Sequence, residues 1–402
     1  MESRDVEAAA QRLKEQIHNI HVSSSQTFSK MSGCELYLKC ENRQKTGSFK
    51  VRGAYNKLAK LKEQGGCEHV IASSAGNHAQ GVSYAGAMLG MHATIVMPKS
   101  TPIAKVSATK GYGAEVVLAG DNYDECYEAA RKIQEETGAV FIHPFDDEDV
   151  IAGQGTIAYE ILHDLPNADV IVVPAGGGGL LAGISFYAKQ INPRIKIVGV
   201  QAQGADAIVR SFREGRHCTS DSVNTIADGI AVMNPGEKTV KLIQENVDEM
   251  VTVTDDEIAA TILLLLEREK QVVEPAGACS LAAVLNHKID VEGKRVVCVL
   301  SGGNIDVNIL SRVITRGMIM SGRKTNLMIA LEDKPGQLTR VSEIISGMGA
   351  NVVSVQYDLA DPNMTVTSCF LKLGLETRDH TQIEQIKAKL TEEGFKLVSE
   401  RA

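Results

Sequence analysis

The sequence has no tryptophan, and aromatic residues make up only 4% of its 402 positions, which argues against surfaces built on stacked bases or aromatic sugar platforms. No block of lysine and arginine is dense enough to override a net charge of -8, so a phosphate backbone would be repelled. Nucleic acid is not an expected partner. The eight cysteines, Cys34, Cys40, Cys67, Cys126, Cys218, Cys279, Cys298 and Cys369, include no C-x-x-C pair that could nucleate a zinc site or redox dithiol. They read as reduced, mostly buried thiols, and no metal is expected. The most apolar run, Ile258 to Leu266, falls short of the roughly 20 residues that span a bilayer. Residues 1–7 lack the apolar region of a signal peptide. A soluble cytoplasmic protein with no membrane partner is expected.

What the sequence does contain is ordinary for a globular chain, 44% hydrophobic and 23% charged, at a length that predicts two or three domains. From Val70 to about Ser301 short apolar runs alternate with turns and helical segments: Val70–Ala72, Ala93–Met97, Glu115–Leu118, Val170–Val173, Ile195–Val200 and Arg295–Leu300. Strands apolar on both faces and separated by helices belong to a parallel sheet covered on both sides, so the core is expected to be a doubly wound α/β fold. In such sheets ligands bind beyond the carboxyl ends of strands.

After Ile314 the pattern changes. Residues 321–326 read as a polar linker, followed by a strand (Leu327–Leu331), a helix (Leu338–Met348), strands at Val352–Tyr357 and Thr365–Leu373, a helix (Gln382–Glu393) and a last strand (Phe395–Val398). That β-α-β-β-α-β order is ferredoxin-like. The predicted division is a core over 1–320, with a smaller subdomain at about 46–146, and a C-terminal module over 327–402.

Four features could carry chemistry. Thr46-Gly47-Ser48 caps a helix beginning near Phe49, which puts Lys50 in the first turn, where a cation is disfavoured and a neutral amine nucleophile favoured. Ser73-Ser74-Ala75-Gly76-Asn77-His78 follows a strand and opens a helix, so several N–H groups and hydroxyls converge where a carboxylate could dock. His78, taken singly, reads as a structural histidine. Gly176-Gly177-Gly178-Gly179 follows an apolar strand, and four glycines in a row cost about 0.5–1 kcal/mol each relative to alanine, which suits a loop whose amides face a phosphate. The acidic residue that would hold a dinucleotide ribose is missing after Val200, and there is no P-loop G-K-[ST] ending. A phosphate monoester on a small cofactor fits better. Lastly, Ser301-Gly302-Gly303-Asn304 places a hydroxyl at the end of a strand, where it can reach a heteroaromatic nitrogen.

In this order the four features resemble the fold-type II pyridoxal-phosphate enzymes, and among them the threonine dehydratases, over residues from about 5 to 316. Asp333-Lys334-Pro335-Gly336-Gln337-Leu338 and Gly349-Ala350-Asn351-Val352 resemble an ACT domain, an amino-acid-sensing module. The resemblance implies a two-domain open parallel-sheet fold of the tryptophan-synthase-β kind with pyridoxal 5'-phosphate as cofactor. It implies that Lys50 carries the cofactor and moves the Cα proton, that Phe49 packs beside the ring, and that Asn77 bonds its phenolic oxygen. Gly176, Gly177, Gly178 and Gly179 would hold the phosphate and Ser301 the pyridine nitrogen. Ser74, Ala75, Gly76 and Asn77 would bind the substrate carboxylate. The implied reaction converts L-threonine to 2-oxobutanoate and ammonia, with L-serine as a lesser substrate. No obvious carboxylic acid stands near these turns to protonate the departing hydroxyl, which leaves the cofactor phosphate as the nearest acid.

Other readings are a serine dehydratase or racemase of the same fold, a non-catalytic amino-acid sensor, and a nicotinamide-dependent oxidoreductase. Racemases of this kind carry a Ser where this chain has Ala75. A sensor would be expected to lose Lys50, and the oxidoreductase lacks its ribose acid. The Gln201–Asp206 stretch lacks the Glu of a divalent-cation site found in some relatives. In the tail, Gly336, Gln337 and Leu338, facing Asn351, are expected to bind isoleucine or valine in a homotetramer or homodimer, whether the role is isoleucine biosynthesis or threonine catabolism.

Overall fold

The computed structural model describes residues 1–359 and 367–398. They divide into two units, Met1–Asp306 and Val307–Ala402.

The first unit is built on two parallel sheets. The larger has six strands in the order Ser23–Ser24, Glu35–Cys40, Arg295–Leu300, Val170–Pro174, Lys196–Ala202 and Glu249–Val253. Only the two-residue strand at the edge runs antiparallel. The smaller has four parallel strands in the order Glu115–Leu118, His92–Met97, His69–Ser73 and Val140–Phe141. All five residues of Val170–Pro174 are buried, as a central strand covered on both faces requires. The six expected core strands are present with ends shifted by no more than two residues. Three strands of the large sheet lie outside the expected set: Ser23–Ser24 is only two polar residues, and charged and polar residues break the apolar pattern of Glu35–Cys40 and Glu249–Val253.

The helix Glu148–Asp164 joins the two halves. Its Gly153 meets Gly53 of the helix Lys50–Gln64 so closely that a Cβ on Gly153 would lie 2.6 Å from the Gly53 Cα. Two residues on, Gly155 faces Gly183 of the helix Gly179–Ile191, where a Cβ on Gly183 would lie 2.7 Å from the Gly155 nitrogen. Backbone thus touches backbone at both crossings, and the helix bearing Lys50 is set at a fixed distance from the helix that the glycine run opens. A buried ion cluster adds to this clamp. Arg52 donates to Glu41 at 2.7 and 2.8 Å and to Glu160 at 2.7 Å, and Lys39 donates to Glu160 at 2.5 Å.

The second unit contains the helix Val307–Met320 and a four-stranded antiparallel sheet in the order Asn351–Asp358, Ser368–Glu376, Lys324–Glu332, Lys396–Val398. Helices Gln337–Gly347 and His380–Glu392 complete the β-α-β-β-α-β order. The first strand begins at Lys324, inside the expected linker. Of the strand expected at Thr365–Leu373, Thr365 and Val366 lie outside the described residues, and the strand runs from Ser368 to Glu376.

One expectation is corrected within this unit. Asn351 pairs with Glu376, which pairs with Lys324, whereas Gly336 follows the far end of that strand at Glu332. Lys324–Glu332 has nine residues, so the two positions are about 27 Å apart along the sheet. Gly336 and Asn351 of one chain do not face each other, because the intervening helix carries the backbone from one end of the sheet to the other.

Candidate active site

Lys50 opens its helix, with Phe49 at the cap position. The cap is tied to the end of the last core strand, since the Phe49 N–H donates to the Ser301 carbonyl at 3.0 Å and Ser48 bridges Gly302. The Lys50 ammonium lies 5.3 Å from the Phe49 ring centre and donates to the Pro144 carbonyl at 2.7 Å. Although the residue is only half-buried, loss of water around Nζ pulls its pKa down to about 8, against the opposing charge of Glu274. About a tenth of such an amine is neutral at pH 7, against well under a thousandth for an ordinary lysine.

The strand His69–Ser73 ends in the Ser74–Gly76 turn, and the helix Asn77–Leu89 starts there. Its free N–H groups sit where the helix dipole favours an anion. The Ser74 hydroxyl accepts from the Gly76 N–H at 3.3 Å, and a Cβ at Gly76 would meet nothing within 4 Å, so the turn faces open space. His78 is buried with Nε2 2.9 Å from the Ile142 carbonyl, and burial pushes its pKa down to about 3. It is a neutral structural histidine.

Gly178 has φ +96° and caps the helix Gly179–Ile191. A Cβ at Gly177 would lie 2.2 Å from the Phe145 ring, and one at Gly178 would lie 2.6 Å from the Thr239 hydroxyl. The run therefore has no room for side chains, and its N–H groups point out of a helix N-terminus. Phe145 follows Pro144, the acceptor for Lys50, so one segment touches both the lysine and the glycine turn.

The residues bear a definite chemical stamp: an amine of lowered pKa, a ring beside it, an amide at Asn77, a hydroxyl at buried Ser301, and a cradle of backbone N–H groups. The buried hydroxyls of Thr46, Ser48 and Ser73, in the same turns, have no hydrogen-bond partner among the described residues. This set fits a phosphorylated pyridine aldehyde, with Lys50 for the aldehyde and Gly176–Gly179 for the phosphate. Among the described residues no group of acidic, histidine or cysteine side chains is arranged to hold a metal.

Residues 13–302 match the family described as pyridoxal-phosphate dependent enzyme. The chain is also 48% identical to the L-threonine ammonia-lyase of Thermotoga maritima, over 98% of both chains. It belongs to the threonine dehydratase family of pyridoxal-phosphate enzymes. Pyridoxal 5'-phosphate is its cofactor, and the protein is a lyase of that family. This pyridoxal-phosphate enzyme is 45% identical to the catabolic L-threonine dehydratase TdcB of Escherichia coli K12, over 77% of this chain and 94% of that one. Maize serine racemase superposes with a TM-score of 0.74 at 35% identity, covering 79% of this chain and 98% of the racemase. Among the described residues no helix is long and apolar enough to cross a membrane.

A carboxyl side chain escaped the sequence reading. Glu274 is 4% exposed and lies against Asn77 and Gly302, so a carboxyl group does stand beside these turns, contrary to expectation. Its only sequence signal is its place before Pro275, at the cap of the helix Pro275–Leu285, a position where many acidic residues merely cap.

Proposed function

We propose that this enzyme converts L-threonine to 2-oxobutanoate and ammonia in the cytoplasm, and L-serine to pyruvate more slowly. The observation that carries this reading is the meeting of Lys50, Phe49 and Ser301 at one strand end, beside a helix N-terminus at Ser74–Asn77 and another at Gly176–Gly179. The cofactor, bound at Lys50, supplies an electron sink that makes the Cα proton of an amino acid acidic. The Ser74–Asn77 turn binds the substrate carboxylate through its N–H groups and hydroxyl, which fixes the amino acid's orientation. Lys50, with its lowered pKa, takes the Cα proton. Loss of the β-hydroxyl as water and hydrolysis of the resulting enamine release the 2-oxo acid and ammonia.

Similarity to a serine racemase supports a second reading, racemisation of serine. Ala75 speaks against it, because it offers no proton donor or acceptor on the face opposite Lys50. Assay of 2-oxobutanoate from threonine and of pyruvate and D-serine from serine separates the readings. A faster yield of D-serine than of either oxo acid would overturn the dehydratase reading.

The second unit is read as an ACT domain that binds isoleucine or valine. Its edge strand Asn351–Asp358 leaves Val353, Val355 and Tyr357 exposed, an apolar edge suited to pairing with another copy. Gly336, Gln337 and Leu338 of one chain would meet Asn351 of another across such a pair, which joins residues that one chain holds apart. A homodimer or homotetramer follows. The response to isoleucine separates the roles, since inhibition marks a biosynthetic enzyme and indifference a catabolic one.

A further inference from the structure

A carboxyl group without a cationic partner is disfavoured in a protein interior. Glu274 is buried and, among the described residues, makes no direct ion pair, although Lys50 and Lys105 act on it at longer range. Its carboxylate meets an amide, with Asn77 Nδ2 donating to Oε1 at 2.8 Å and to Oε2 at 3.0 Å. The other end of that amide is also held, because Asn77 Oδ1 accepts from Asn304 Nδ2 at 2.8 Å. Asn304 Nδ2 is fixed in turn by the Thr46 carbonyl at 2.7 Å. With an acceptor-only group on one side and a donor on the other, the Asn77 amide has one orientation, nitrogen toward Glu274 and oxygen toward Asn304.

The surroundings are shaped for this contact. A Cβ on Gly302 would lie 2.4 Å from Glu274 Oε1, so a side chain after Ser301 would push the carboxylate out of its place. The Glu274 N–H donates to the Gly302 carbonyl at 2.9 Å, which ties the carboxylate's backbone to the same strand end. The segment leading in is irregular: Leu265–Glu269 is a π-helical turn, and Lys270 has φ +57°, a left-handed conformation that a Cβ disfavours.

We propose that Glu274 is a positioning residue of the active site, whose carboxylate locks the Asn77 carboxamide in one orientation and so sets which group Asn77 presents to the cofactor. This rests on the reading of Asn77 as a cofactor contact. The charged groups acting on Glu274 are Lys50 and Lys105 from the smaller half and Asp228 from the larger. Burial raises its pKa to about 7, opposed by the Asn77 hydrogen bond and by Lys105, and reinforced by Asp228. Above that value the ionised group accepts both bonds from Asn77; below it a proton occupies one oxygen and the lock loosens.

The test uses holoenzymes carrying Glu274→Gln, Asn77→Ala and both. For each, the absorption spectrum of the lysine-bound cofactor is titrated with pH, and kcat and KM are measured on threonine. Glu274→Gln is expected to shift the chromophore's titration, remove the acid limb of the kcat profile, and lower kcat about 10- to 100-fold with KM little changed. In the Asn77→Ala background it is expected to change kcat less than about twofold, because the two residues act as a unit. If Asn77→Ala shifts the spectrum while Glu274→Gln does not, or if their effects multiply, the positioning role is overturned and the reading of Asn77 stands. A spectrum unmoved by either substitution overturns both. Should Glu274→Gln not fold, Glu274→Asp, which withdraws the carboxylate, is judged by the same criteria.

Discussion

Lys50 donates its ammonium to the carbonyl of Pro144 at 2.7 Å, and the next residue, Phe145, lies so close to Gly177 that a Cβ there would fall 2.2 Å from its ring. The lysine and the glycine turn are thereby coupled through two consecutive residues. Gly177→Ala must displace the Phe145 ring, which stands next in the chain to the acceptor of Lys50. It is expected to cost about 1–3 kcal/mol of stability by overpacking and to weaken retention of the cofactor about tenfold or more, at about 1.4 kcal/mol per decade. Thermal melts and equilibrium dialysis of the holoenzyme measure the two effects. Unchanged retention would show that the turn is not a phosphate cradle.

Arg52 stands two residues beyond Lys50 with its guanidinium fully buried between Glu41 and Glu160. Replacing it by leucine leaves Glu41, also fully buried, without a counter-charge. Arg52→Leu is expected to destabilise the protein by about 3–5 kcal/mol, measured by urea unfolding. A loss below 1 kcal/mol would mean that the cluster relaxes into water.

Most of the core was legible in the sequence because both-face burial leaves a simple trace. Val170–Pro174 and Arg295–Leu300 are apolar almost throughout and match their expected positions. The helix starts near Lys50, Ser74 and Gly176 were legible for a related reason: small turn residues stand immediately before each helix. Glu274 was not, since it reaches Asn77 across 197 residues of sequence, and a glutamate before a proline has a sufficient local explanation. Pro144 and Phe145 were hidden likewise, since their roles lie in a carbonyl and a packing contact.

Ala75 is half-buried in the turn before Asn77. The racemase-like pattern implies that a hydroxyl there would stand on the face of the substrate opposite Lys50. Ala75→Ser is therefore expected to raise racemisation of serine and lower the rate of dehydration. Chiral chromatography of the serine pool decides it, and D-serine no higher than with the parent enzyme would count against that placement.

Isoleucine is expected to lower the affinity for threonine in the full chain, and threonine to weaken isoleucine binding by the same factor, typically about 5–150-fold. A chain ending at Met320 is expected to stay active and lose the response. Equal sensitivity in both forms would put the effector site in the first unit.

The most direct measurement is borohydride reduction of the yellow holoenzyme followed by peptide mass mapping. The expected result is one modified lysine, in the peptide containing Ser48-Phe49-Lys50, and none in a Lys50→Ala protein. A cofactor adduct on any other lysine would contradict the assignment of the site.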